Sequence, residues 1–304
     1  MSADAVAQQM GRSNVEEMNA LNEGRVSDST GIWYAHTYEA NYPQKFKEEW
    51  RSGMAPSSHF AKEGSYKFAL LPGKSAAAGV EAFFRGLTIC ECLSAIVAIE
   101  YKTILKTVGA KKFDDAFGAT DKPVQSRMLI EGRISSNNPL RTYLQQTDAA
   151  RTGNAGTENE RPAKEGEWYY VYNHPKYLLK HPGGAYQGEN CFYMGRGPDK
   201  KQRWRGFGVD NVTEDEMLRV MAGDYNRRRD DNDKRRMRQY EQQGEDMSVL
   251  NIDGVKLKDR VTVAEILNEP EYTSPIDNVS RKGGFVARAG RTLDAQAVAD
   301  LANG

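Results

Sequence analysis

The chain has 304 residues, with 42 Lys plus Arg against 42 Asp plus Glu. That balance removes any overall bias toward nucleic acid, and three cysteines are too few, and odd in number, for a disulfide framework. No apolar run approaches the roughly 20 residues a membrane helix needs, and the N-terminal "MSADAVAQQMGRSNVEEMNALNEG" has neither the basic flank nor the apolar core of a secretory signal.

The first 60 residues are polar with scattered aromatics, Trp33, Tyr34, Tyr38, Tyr42, Phe46 and Trp50. Val15 to Leu21 reads as a short helix, and "NYPQKFKEEW" as a turn at Pro43 running into an amphipathic helix. "SYKFALLP" reads as a strand, and small residues from Ser75 lead into a helix at "VEAFFRG". The strongest helix runs from Glu91 to about Val108, with apolar residues at Leu93, Ile96, Val97, Ile99, Ile104 and Leu105, and Gly109 to end it. "AKKFDDAF" gives a short second helix stopped at Gly118.

Residues 118 to 166 are rich in Asn, Thr, Gly and charge, and "TGNAGTENERPAKEGE" is a loop. Three strands follow, in "EWYYVYN", "CFYMG" and "RWRGFGV". A strand-rich half after a helical half predicts an α+β fold rather than alternating α/β. Thr213 and Glu216 have capping-box spacing at the start of another helix. "NRRRDDNDKRRMRQYEQQ" reads as a solvated helix face, because Asp230, Asp231 and Asp233 interrupt any nucleic-acid stripe. The tail from about 250 has weak periodicity and reads as an appended module or a partly ordered segment.

The stretch "TICECLSAIVAI" holds Cys90 and Cys92 on either side of Glu91. A metal reading would add Cys191 and His174 or His181, a spacing that matches no known signature. A redox reading lacks the Cys-x-x-Cys spacing. A nucleophile reading rests on the capping-box spacing of Thr88 and Glu91, which starts a helix near Thr88 and puts Cys92 in or next to its first turn. There the helix dipole would lower the thiol pKa and favour the thiolate. Equally, the cysteines pack as small hydrophobes and Glu91 only caps the helix. Of the four histidines, His36 and His59 lie in the polar N-terminal region, while His174 and His181 flank "PKYLLK". Spacing alone leaves these readings open.

Several blocks then carry a resemblance. "ECLSAIVAIEYKTILKTVGAKKFDDAF", the upstream "LPGKSAAAGVEAFFRG", and the downstream "YVYNHPKYLLKHPGGAYQGENCFYMG" and "RGFGV" resemble, in order and spacing, the bacterial spore-coat transglutaminases, the small protein-glutamine gamma-glutamyltransferases of bacilli. The likeness covers roughly residues 65 to 215. It implies a papain-like (NlpC/P60-like) α+β core, with the nucleophile at the N-terminus of a buried helix packed on an antiparallel sheet. It divides the chain into an N-terminal extension over 1–60, a catalytic domain over 61–225, and a charged helix with a C-terminal extension over 226–304.

Carried over, Cys92 matches the nucleophile, Glu91 the acid beside it and Glu189 the base, while Cys90 matches no functional position. Where the family closes the last strand with a His, this chain has Arg205. The implied reaction joins a protein glutamine to a lysine through a thioester on Cys92, or deamidates the glutamine when water intervenes. Glu189 would need desolvation to act as a base, for which Tyr186, Phe192 and Tyr193 are the expected setting, and N–H groups at the helix start would form the oxyanion hole. No metal or cofactor is implied, and calcium is not expected. The expected partners are proteins supplying Gln and Lys side chains, with no membrane or nucleic acid, and an immunity or delivery partner if the chain is an effector. The expected location is cytoplasmic, with spore coat or signal-independent secretion as variants. Two readings of other kinds stand beside it: a Cys–His amidase or peptidase using His174 or His181, and a non-enzymatic interaction protein using the charged helix near 226–240.

Overall fold

The computed structural model describes residues 1–22, 33–35, 52–85, 87–118, 127–146, 163–173, 177–182, 184, 186–206, 208–243 and 288–304. Aromatic and β-branched runs build its largest sheet. Strands β7 (Trp168–Tyr172), β8 (Gly188–Arg196) and β9 (Gln202–Gly206) pair in succession, all antiparallel. Two further strands extend the sheet beyond β7, in the order β6 (Leu144–Gln146), β10 (Arg288–Leu293), β7, β8, β9. A second antiparallel sheet holds β2 (Phe60–Gly64), β3 (Lys67–Leu70) and β5 (Leu129–Glu131). A parallel pair joins β1 (Trp33–Ala35) to β4 (Thr88–Cys90). The chain is a mixed α+β fold.

The continuous aromatic run of β7 has a physical reason. All five of its residues are buried, because the sheet is covered on both faces. On one face Trp168 and Phe192 join the main core around helix α3 (Cys92–Val108). On the other, Tyr169, Val171, Cys191, Tyr193 and Trp204 pack with Met217 and Met221 of α6 (Glu214–Asn226). Helix α6 starts with the expected capping box of Thr213 and Glu216.

Helix α3 is apolar around most of its circumference, as a fully buried helix must be. Gly109 ends it at φ 80°, its N–H donating to the Leu105 carbonyl at 2.9 Å. The short helix α4 (Ala110–Phe117) then folds back, stacking Phe113 and Phe117 edge-on against Tyr101. Helix α2 (Ala76–Arg85) completes this layer.

The start of α3 differs from expectation. Thr88 is not its cap: Thr88–Cys90 is strand β4, and the Thr88 hydroxyl donates to the Phe83 carbonyl at 2.9 Å. Glu91 itself is the N-cap, in extended backbone, and Cys92 is the first helical residue. Helix α1 is also longer than Val15–Leu21 suggests, running Ala3–Asn22. Its apolar stripe is thin, with Val6, Met10 and Met18 buried, and polar contacts to α3 supply the rest. Lys102 pairs with Glu17 at 3.0 Å, and Thr103 donates to Asn14 at 2.6 Å.

Residues 288–304 belong to the main sheet and its core. Strand β10 is bonded to β6 on one side and β7 on the other, and α8 (Ala295–Asn303) packs on α1 and α3. The sheet therefore crosses the boundary expected at 225/226. The charged run forms helix α7 (Asp231–Gln243). "NYPQKFKEEW", "TGNAGTENERPAKEGE", His36 and His174 lie outside the described residues.

Candidate active site

Two elements converge on Cys92. Helix α3 presents the sulfur at its first position, and β8 passes in front of it. The Asn190 amide nitrogen of β8 lies 3.2 Å from Sγ, and the thiol points to Glu91 Oε2 at 3.5 Å. Among the cysteines, Cys90 and Cys191 are buried and Cys92 is partly accessible.

Glu91 is held from several directions. Its Oε2 accepts the Leu93 N–H at 3.0 Å, and its Oε1 accepts the Ser94 N–H at 2.6 Å and the Ser94 hydroxyl at 3.1 Å. Gly132 stands behind it, where a Cβ would come within 2.8 Å of Oε1. Burial pushes the Glu91 carboxyl up, and these hydrogen bonds offset part of that. Two of the N–H groups at the helix start, where an oxyanion hole is expected, those of Leu93 and Ser94, thus go to Glu91.

The thiol is not the activated thiolate that a helix N-terminus alone suggests. Burial pushes the Cys92 thiol well above its ordinary value, and the charges of Glu91 and Glu189 add to the rise. The Asn190 amide, donating to sulfur, opposes it.

Glu189 sits one residue before Asn190, so the pleat of β8 sends the two side chains to opposite faces. Glu189 is buried, its Oε1 accepting the Gly208 N–H at 3.1 Å. Its neighbours are glycines by necessity: a Cβ on Gly206 would lie 2.5 Å from Oε1, and one on Gly208 would lie 2.6 Å from Oε2. That contact explains the Gly-x-Gly of "RGFGV". Of the aromatic setting expected for Glu189, Tyr186 is close, donating to the Gly208 carbonyl at 3.0 Å. Phe192 instead faces α3. Arg205 pairs with Asp210 at 2.5 Å and with Asn19 of α1.

His181 belongs elsewhere. It is fully buried, with Nδ1 3.0 Å from Asp233 and Nε2 3.0 Å from the Tyr225 carbonyl. Arg227 reaches the same Asp233 carboxylate at 2.8 Å, so this His–Asp pair ties the ends of α6 and α7 to the short helix α5 (Tyr177–Lys180). Among the described residues, no three His, Cys, Asp or Glu side chains gather as a metal site. Within the same residues, no helix is long and apolar enough to cross a membrane.

Asn190 and Tyr170, neighbours of Cys92, and Trp168, which holds Asn190, are the residues that sequence reasoning missed. Trp168 donates its indole N–H to Asn190 Oδ1 at 2.9 Å, and Tyr170 pairs across the strands with Asn190. The period-two alternation through "GENCF" was the available signal, since it places Asn190 on the face of Phe192.

A family model for protein-glutamine gamma-glutamyltransferase matches residues 44–249. Among solved structures, the transglutaminase of Geobacillus stearothermophilus without its C-terminal extension is similar at 17% identity and a TM-score of 0.48, covering 75% of this chain and 85% of that one. A comparison with curated proteins finds no match.

Proposed function

The chain belongs to the protein-glutamine gamma-glutamyltransferase family, a family of acyltransferases, and from that premise we propose that Cys92 is its nucleophile and Glu91 its proton carrier, while Glu189, on the other face of β8, acts on the thiol through its charge. The observation that carries this reading is a partly accessible thiol at the first position of a buried helix, with a carboxylate oxygen 3.5 Å from its sulfur. That placement, on a helix packed against an antiparallel sheet, also supports a papain-like core.

The chemistry follows from the resting state of the thiol. Cys92 is protonated and needs an acceptor as it attacks, and Glu91 Oε2 is in position to take that proton. Sulfur bonds to the side-chain carbonyl carbon of a protein glutamine, and the carbonyl oxygen takes up the electron pair. As the C–N bond breaks, the carboxyl returns its proton to nitrogen and ammonia leaves. The thioester remains. A neutral lysine amine then attacks it and transfers a proton to Glu91, the carboxylate beside the sulfur. The C–S bond breaks, and the proton passes back to the sulfur. Water in place of the amine yields glutamate. Burial pushes the Glu91 carboxyl up, which suits it to these transfers.

The Cys–His alternative loses its His181 form, because both ring nitrogens of His181 are engaged away from Cys92; His174 lies outside the described residues. Mass spectrometry tests the proposal. Mixed with a glutamine peptide and no amine, the enzyme should gain the mass of the peptide less ammonia on the tryptic fragment holding Cys92. An adduct elsewhere, or none in an active preparation, sinks it.

A further inference from the structure

The N–H groups of Leu93 and Ser94 are bonded to the Glu91 carboxylate, which leaves the Cys92 N–H at the helix start and calls for a side-chain donor beside it to meet the developing charge on sulfur and on the carbonyl oxygen. Asn190 is positioned to supply one. Its Nδ2 is 3.2 Å from Cys92 Sγ, across 98 positions of sequence. The orientation of its amide is fixed, because the indole N–H of Trp168, 2.9 Å away, is a pure donor and only Oδ1 can accept it. The NH₂ group must then face the sulfur. Both residues are buried in the wall that β7 and β8 present to α3, at 2% exposure for Trp168 and 4% for Asn190, so water competes poorly for these bonds.

We propose that Asn190 is a catalytic residue of the transamidation, donating one amide hydrogen to the Cys92 sulfur and the other to the carbonyl oxygen of the bound glutamine as it becomes an oxyanion, and that Trp168 is the positioning residue that holds it in that orientation. The two hydrogens on Nδ2 suit the two tasks. One stays on the sulfur as it gains charge, and the second is left to donate to the substrate oxygen. No proton is transferred through Asn190; it only donates hydrogen bonds, and the transfers stay with Glu91. This inference rests on the reading of Cys92 as nucleophile.

The test uses the full chain and variants Asn190→Leu, Asn190→Asp and Trp168→Phe, each checked for fold by circular dichroism, with Cys92→Ala as control. The first readout is the pH profile of Cys92 alkylation by iodoacetamide, and the second is kcat for amine incorporation. Asn190→Leu should move the alkylation profile to higher pH and lower kcat by about 10²-fold, as loss of one oxyanion donor does, with KM changed less. Trp168→Phe should move both in the same direction by a smaller factor. Asn190→Asp, which matches Asn in shape, keeps the test open if the leucine variant does not fold, and it too should raise the profile. A folded Asn190→Leu or Asn190→Asp enzyme with an unmoved profile overturns the inference, whatever its activity, and so does a kcat within twofold of the parent. Those failures leave the nucleophile in place when Cys92→Ala is inactive. An active Cys92→Ala enzyme instead removes the reading beneath both.

Discussion

Glu91 and Cys92 are chain neighbours whose side chains also meet: Glu91 Oε2 is 3.5 Å from Sγ while holding the Leu93 N–H at 3.0 Å. The same carboxylate thus caps the helix that carries the nucleophile and offers the thiol a place for its proton. These roles pull apart in Glu91→Gln. The amide cannot accept a proton, so kcat should fall by about 10²-fold. The charge that raises the thiol is removed, so the Cys92 thiol should ionise at lower pH and alkylate faster at pH 8. Slower turnover with faster alkylation is the expected pair, measured on one preparation. Both falling together would contradict the double role.

Glu189 depends on the two glycines of β9 and the loop behind it. Gly208→Ala would put a methyl group 2.6 Å from Glu189 Oε2 and displace the carboxylate. Turnover and the pH profile of Cys92 alkylation should both shift, because the Glu189 charge acts on the sulfur. The melting temperature should move little, since the change lies at the site rather than in the core. A melt that falls steeply while the folded fraction keeps full turnover would show that the glycine serves packing alone.

Glu100 lies on the catalytic helix but is used differently. It is fully buried, its Oε2 accepting from Asn14 at 3.2 Å and its Oε1 having no partner, and burial pushes its carboxyl up to about 8. The folded state therefore holds a proton that the unfolded chain releases near its ordinary value. Its contribution to stability is complete below that ordinary value, falls as pH rises from there toward 8, and levels off above. Glu100→Gln keeps the shape and the Asn14 contact without the titration. It should be more stable than the parent at pH 8, by about 2–4 kcal/mol, with the difference shrinking toward pH 4.5. Denaturant melts across that range check it, and a difference independent of pH would contradict it.

Strand β10 fills the gap between β6 and β7, far in sequence from the strands it joins. Removing residues 288–304 exposes the bonding edges of both neighbours and takes Leu293, Val298 and Ala299 out of the core. The shortened chain should lose its cooperative melt and should aggregate. A soluble, cooperatively melting product would mean that the sheet closes without this strand.

How much of this was legible beforehand differs by element. The helix over 92–108 and the short one after it, the three aromatic strands and the capping box at Thr213 follow from local pattern, because each repeats its own period. Strand β10 does not, since "RAGRTL" carries no strong alternation and gains its partners only from chain far away. Helix α1 was half visible, because its hold on α3 runs through Asn14, Glu17 and Thr103 rather than an apolar stripe. Around the sulfur, position in the chain pointed to Cys92 and Glu91, but not to Thr88 as strand or Glu91 as cap. Nor could local spacing reveal Asn190, which reaches Cys92 only through strand pairing.

The central claim is that acyl transfer from protein glutamine runs through Cys92. The most direct test incubates the enzyme with a glutamine-rich protein and a fluorescent primary amine, comparing the parent with Cys92→Ala. The account predicts covalent fluorescence on the protein with the parent enzyme and none with a folded Cys92→Ala. Equal labelling by both enzymes would contradict it.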